Sequence, residues 1–224
     1  VKGRHCTVLG LVATAAEVPH AVEGICGLLE CCRVLGERTP RHRGEALRRL
    51  GASAVTISGG EIYPALQSGA IDGTEWVGPW NDLAFGFFQE AKYYYWPGFH
   101  EPGPQIAAGI NLDLWKSFTA TEKSIVIGAC QRANNLSMAE YTHFNAIALE
   151  TLLTEHDIEL RQMPDDVMAA LARETKNVLE EVAASDEFTG RVYESFRASL
   201  ARSMEWGRIS DEAFMAKRRE VFSL

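Results

Sequence analysis

Two glutamates and the aromatic residues between them are the part of this chain best equipped for chemistry. Glu75 is followed directly by Trp76, and Glu101 comes 25 residues after Trp76. Nine aromatic side chains, from Trp80 to Phe99, lie between them. Most of these read as core or packing groups, and a few could wall a pocket for a small ligand. Two carboxylates in such a setting have two physical uses. They can serve as a general acid and base, or they can hold a hard cation, which takes carboxylate and carbonyl oxygens. The residue types leave both open, and each glutamate taken singly also reads as an ordinary surface charge.

Other chemistries lack their motifs. The sequence has no G-x-S-x-G elbow, no Walker loop and no G-x-G-x-x-G after a strand. Gly59-Gly60 reads as a tight strand-to-helix turn. His100 stands beside Glu101 without a second histidine at helical spacing. Four of the five cysteines, Cys6, Cys26, Cys31 and Cys32, crowd the first 32 residues, with neither zinc spacing nor a disulfide pattern. A net charge of −8 argues against a nucleic-acid surface. It also repels anions at long range, so an anion site must rest on local groups. No apolar run approaches the roughly 20 residues of a membrane span.

The elements that must position Glu75 and Glu101 follow from the surrounding pattern. A short helix over 45–50 ends at Gly51. Residues 54–58 are β-rich and predict a strand, followed by a helix over 61–67 that ends at Gly69. A second strand over 73–77, a helix over 79–91, a third strand over 92–96 and a fourth over 105–111 complete an alternating pattern. Such alternation implies a largely parallel sheet with covered faces. Both glutamates then fall beyond strand ends, where parallel α/β sheets bind ligands. After Leu112 the chain reads as helical. One helix opens at Thr121, and others run over 138–156, 165–184, 188–206 and 211–221.

The run G-G-E-I-Y-P-A-L-Q-S-G-A-I-D-G-T-E-W-V-G-P-W-N-D-L-A-F-G, residues 59–86, resembles the DctP-type solute receptors of TRAP transporters. It is most similar to the branch that binds α-keto acids and related 2-oxo or 2-hydroxy carboxylates. The run A-K-Y-Y-Y-W-P-G-F-H-E-P-G, residues 91–103, continues the likeness, as do Asn111-Leu112-Asp113 and the later helices. The resemblance implies a two-lobed periplasmic receptor of α/β, periplasmic-binding-protein-like (class II) fold. Such a receptor closes on its ligand, hands it to a membrane permease and performs no chemistry on it. It also implies a sodium or calcium ion bridging protein and ligand, with side-chain oxygens from Glu75 and Glu101 and the backbone carbonyl of Trp76. Glu75 and Trp76 would also face the substrate, and Arg38, in Arg38-Thr39-Pro40, would clamp the ligand carboxylate. A guanidinium suits bidentate carboxylate binding, and a shared cation turns carboxylate–carboxylate repulsion into attraction. Members of the branch can also form a homodimer by exchange of a C-terminal helix; residues 188–221 are suited either to that exchange or to packing back on their own chain.

The first residues depart from this pattern. Residues 1–50 carry eight Lys/Arg against five Asp/Glu, while the other 174 carry 14 against 25. The expected organisation is an atypical segment over 1–43, then residues 44–224 as the C-terminal portion of a two-lobed solute-binding domain. That portion is one lobe with a mainly parallel sheet and long C-terminal helices, the first lobe being largely missing. Within 1–16, Lys2, Arg4 and His5 precede a weakly apolar run interrupted by Gly10 and Thr14. That outline fits a secretory signal or an ordinary irregular or helical segment. Periplasmic location is an expectation of the resemblance, as is the TRAP permease as partner. A non-binding remnant that oligomerises through its helices and a carboxylate acid/base enzyme are the competing readings.

Overall fold

In the computed structural model, residues 5–8, 33–35, 41–99 and 108–222 are described. Their strands are β1 (His5–Val8), β2 (Arg33–Leu35), β3 (Ser53–Val55), β4 (Gly73–Glu75), β5 (Ala91–Trp96) and β6 (Glu159–Gln162). They form one sheet in the order β3-β2-β4-β1-β5-β6, and every pairing is parallel. The helices are α1 (Arg41–Arg49), α2 (Gly59–Ser68), α3 (Pro79–Ala84), α4 (Leu112–Ser117), α5 (Ala120–Glu155), α6 (Asp165–Ala183), α7 (Glu187–Ile209) and α8 (Asp211–Phe222).

Tyr93-Tyr94-Tyr95 shows how the sheet is covered. Successive strand residues point to opposite faces. Tyr93 and Tyr95 pack in a cluster with Leu47, Ala52, Met163, Val167 and Leu171. Tyr94 packs in another with Leu152 and Ile158. Helices α1 and α6 thus cover one face and α5 the other. Side chains of this size contribute roughly 1.5–3 kcal/mol each when fully buried. A third cluster, Ile62, Leu66, Ile71 and Phe87, seats α2 beside the end of β4.

Several elements differ from the sequence-based expectation. Residues 5–8 form a strand in the middle of the sheet, not an irregular or helical stretch; β-branched Thr7 and Val8 lie opposite Thr74 and Glu75. No strand occupies the described part of 105–111. Asn111 caps α4 instead, its side chain accepting from the amides of Asp113 and Leu114 at 3.0 and 3.1 Å. The further strand is β6, between the helices expected over 138–156 and 165–184. It forms because a buried parallel neighbour, β5, offers its free edge, with Tyr93 opposite Glu159 and Tyr95 opposite Arg161. The helix expected over 79–91 stops at Ala84, because Gly86 takes a left-handed conformation (φ 73°) before a short 3-10 turn at Phe87–Gln89. The helices expected from Thr121 and over 138–156 are one helix of 36 residues, about 54 Å long. Thr119 and Glu122 cap its start reciprocally, and no proline interrupts it.

The chain divides into two compact units, Val1–Glu174 and Thr175–Leu224. The second holds the end of α6, α7 and α8. Asp186 starts α7, accepting from the Thr189 amide at 2.9 Å. Neither α7 nor α8 has a buried residue. Among the described residues no helix is long and apolar enough to cross a membrane.

Candidate functional site

Because all six strands are parallel, their C-terminal ends share one edge of the sheet. Glu75 is the last residue of β4, which lies between β2 and β1 near the centre. The strand delivers Glu75 to that edge, and Trp76 follows immediately. Both are half-buried. The carboxylate of Glu75 and the backbone carbonyl of Trp76 are hard oxygen donors of the kind sodium and calcium take. Among the described residues no group of three or more His, Cys, Asp or Glu is arranged to hold a metal.

Arg38 and Glu101, the other two expected site residues, lie outside the described residues. The strands that precede them in the chain, β2 and β5, end on the same edge as Glu75.

The turn after Glu75 is held from three directions. The indole of Trp76 lies over Gly59, the first residue of α2: a Cβ built there would sit 2.5 and 2.9 Å from its Cη2 and Cζ2. Phe85 meets the same ring edge-on, centroids 5.4 Å apart. Among the described residues the buried indole nitrogen of Trp76 has no hydrogen-bond partner. Further along, Trp80 stacks on Phe144 at 4.7 Å and meets Tyr141 edge-on at 5.2 Å, both from α5. Its backbone amide donates to Asn145 Oδ1 at 3.0 Å. Gly78 leaves the room this requires, since a Cβ there would lie 3.1 Å from the same oxygen.

Beneath the turn sits a buried acid. Asp82 is 2% exposed, and the Tyr94 hydroxyl donates to its Oδ2 at 2.5 Å. Burial pushes its carboxyl up to about 8 and the nearby Glu75 adds to the rise; Tyr94 and, more weakly, the backbone at Gly78 and Val77 oppose it. Asp82 is therefore largely protonated at neutral pH. The Tyr94 phenol is pushed well above its ordinary range by burial and then by Asp82. A cavity of about 10 Å³ adjoins the pair, bounded by Phe87, Phe88, Ala91, Leu152 and Ile158. That is room for one water at most and too small for an organic acid.

Sequence reasoning missed Asp82, Gly59 and Asn145 as supports. Asp82 resembles an ordinary first-turn helix acid, and Asn145 stands 65 residues from its partner. Only Gly59-Gly60 carried a signal, and it was read as turn chemistry. Of the aromatic run expected to be core or packing groups, Phe87, Tyr93, Tyr94 and Tyr95 are buried, whereas Phe85 and Trp96 are exposed.

Known proteins identify the family and the fold. Residues 35–186 match the family described as bacterial extracellular solute-binding protein, family 7, or DctP. A monocarboxylate 2-oxoacid-binding periplasmic protein of Nostoc sp. (strain PCC 7120) is 33% identical over 177 residues, covering 79% of this chain and 48% of that protein. A TRAP periplasmic solute-binding protein of Colwellia psychrerythraea, solved with bound calcium and pyruvate, superposes with a TM-score of 0.80 at 29% identity, over 96% of this chain and 61% of that one. One from Pseudoalteromonas atlantica T6c, with bound sodium and pyruvate, gives a TM-score of 0.74 at 30% identity, over 88% and 58%. In fold, a Bordetella bronchiseptica RB50 TRAP solute-binding protein, solved as a dimer with calcium and picolinate, is similar over 99% of this chain and 64% of its own, with a TM-score of 0.83 at 23% identity. The chain thus spans about half the length of its curated relative and some three-fifths of these structures. The family is one of solute-binding proteins and not of enzymes, and with more than half of its residues inside the family match, this chain is a member of the DctP family of extracellular solute-binding proteins.

Proposed function

We propose that this protein belongs to a periplasmic receptor for small 2-oxo or 2-hydroxy monocarboxylates such as pyruvate, which delivers its ligand to a TRAP membrane permease. The observation that carries the reading is the placement of Glu75 and the Trp76 carbonyl at the C-terminal edge of a parallel sheet. Carboxylates at such an edge would repel an organic acid, by about 4 kcal/mol for two unit charges at 4 Å in a surface-like dielectric. A sodium or calcium ion between them reverses the sign. In this reading Glu75, Trp76 and Glu101 hold the ion, Arg38 clamps the ligand carboxylate, and Glu75 and Trp76 also face the ligand. The pyruvate-bound relatives, each with calcium or sodium, support the choice of ligand class and ion.

The test is calorimetry of pyruvate binding with calcium, with sodium and with neither. Binding should need the cation, and Glu75→Ala should weaken it at least tenfold, the loss common for metal-site changes. Cation-independent binding, or Glu75→Ala binding as tightly as the parent, overturns the site assignment.

A second element of the proposal is a homodimer formed by exchange or mutual packing of C-terminal helices. It is favoured by α7 and α8, which bury no residue while Phe188, Phe196 and Trp206 are 72%, 54% and 67% exposed.

A further inference from the structure

We infer that Gly59 is a positioning residue for the ligand site, setting the orientation of Trp76 and through it the carbonyl and the Glu75 carboxylate beside it. The inference rests on the functional reading above for its consequence, and on packing alone for its cause. Two adjacent glycines open α2, and their surroundings differ. Among the described residues, nothing lies within 4 Å of the place a Gly60 Cβ would occupy. At Gly59 the same test finds Trp76 Cη2 at 2.5 Å, Cζ2 at 2.9 Å and Cζ3 at 3.3 Å. The outer ring of the indole therefore lies directly on the helix backbone, and any side chain at 59 must move it.

The indole is a rigid bicycle whose orientation depends on two torsions, so it cannot bend away as a lysine or methionine would. Phe85 contacts it edge-on, and Ile62, Leu66 and Phe87 form the cluster it packs against. With the ring held between Phe85 and that cluster, rotation about its side-chain torsions is blocked, so the clash is relieved by a shift of the Trp76 backbone, whose carbonyl and preceding residue are the proposed ion ligands. Displacements of about 1 Å at a binding or catalytic centre can cost on the order of a hundredfold. Absence of a side chain at 59 is thus a requirement of the site and not of the turn, since α2 would accept alanine at either glycine on helix propensity alone.

The matched pair of glycines supplies the test. Gly59→Ala and Gly60→Ala make the same change in helix propensity one residue apart. Calorimetry with pyruvate and calcium should show Gly59→Ala weakened by about tenfold or more, with Gly60→Ala unchanged. Phenylalanine at 76 lacks the fused ring that meets Gly59, so Gly59→Ala introduced into Trp76→Phe should cost nothing further. The emission of Trp76, obtained by subtracting the Trp76→Phe spectrum, should shift to the red in Gly59→Ala and stay put in Gly60→Ala. Equal affinities for the two alanine variants, or an additive loss in the Trp76→Phe background, overturns the inference. If Gly59→Ala alone fails to fold, the Trp76→Phe background decides: a folded double variant supports the clash and an unfolded one refutes it. A parent chain that binds no pyruvate with calcium or sodium overturns the functional reading. The emission comparison then still decides whether Gly59 sets the indole.

Discussion

Replacing Asp82 by asparagine should change strongly how stability depends on pH. Asp82 is 2% exposed, and its carboxyl is pushed from the usual 3.8 to about 8, first by burial and then by Glu75. The folded-state value lies above the unfolded one, so the unfolded chain releases this proton more readily. The contribution to stability is therefore complete below about pH 3.8 and is lost as pH rises toward 8. Each pH unit inside that window is worth about 1.4 kcal/mol. Between pH 5 and pH 8 the loss is on the order of 4 kcal/mol, a large share of the 5–15 kcal/mol typical of a whole domain. Asparagine keeps an oxygen to accept from Tyr94 and has no proton to hold.

The assay is urea denaturation of parent and Asp82→Asn at pH 5, 6, 7 and 8, read as the difference in unfolding free energy. Other carboxylates act in the opposite sense. Glu122, Glu159 and Asp186 are held low, by Thr119, Arg161 and Thr189 respectively. Their contributions are present at neutral pH and lost in acid, and they are common to both proteins, so they cancel in the difference. The variant should gain on the parent steadily up to pH 8. A difference that stays flat across this range means the carboxyl ionises freely in the native state, and the burial argument fails.

Two further outcomes follow. Asn145→Ala removes the acceptor for the Trp80 amide and should cost about 1–3 kcal/mol in thermal denaturation, as an orphaned half-buried amide does; a loss below about 0.5 kcal/mol would show that water replaces Asn145 there. Static light scattering of the intact chain should give the mass of two copies, falling to one on the pair of changes Phe196→Glu and Trp206→Glu; a single-copy mass in the parent refutes association through α7 and α8.

Much of this molecule was legible without coordinates. Residues 53–96 read as strands alternating with helices because each element carries its own punctuation: Gly69 in the left-handed region closes α2 (φ 71°), and Pro79 opens α3. The position of Glu75 at a strand end followed from that pattern, and the long motif around it pointed to the DctP family. What went astray were elements whose identity depends on a neighbour. His5–Val8 and Glu159–Gln162 are four residues each, too short for a period to show. They are strands because Tyr93, Tyr94 and Tyr95 lie between them and take a partner on each side. The single long α5 likewise reads as two helices, since only its second half, over 138–156, carries an apolar period; its buried residues, Ala148 and Leu152, lie there.

The sequence by itself determined the class of fold and the family, and it proposed Glu75 and Trp76 as donors, because those readings depend on local residue types and short spacings. The tertiary structure alone decided what stands behind those donors. Gly59 lies under Trp76 across a helix–strand junction, Asn145 reaches the Trp80 amide from a helix 65 residues later, and Asp82 is deprived of water by Tyr94 and the surrounding apolar side chains. Each of these is a contact between distant parts of the chain, and its energy comes from the exclusion of water and of other side chains. No pattern along one strand or helix records that exclusion, so it appears only when the chain is folded.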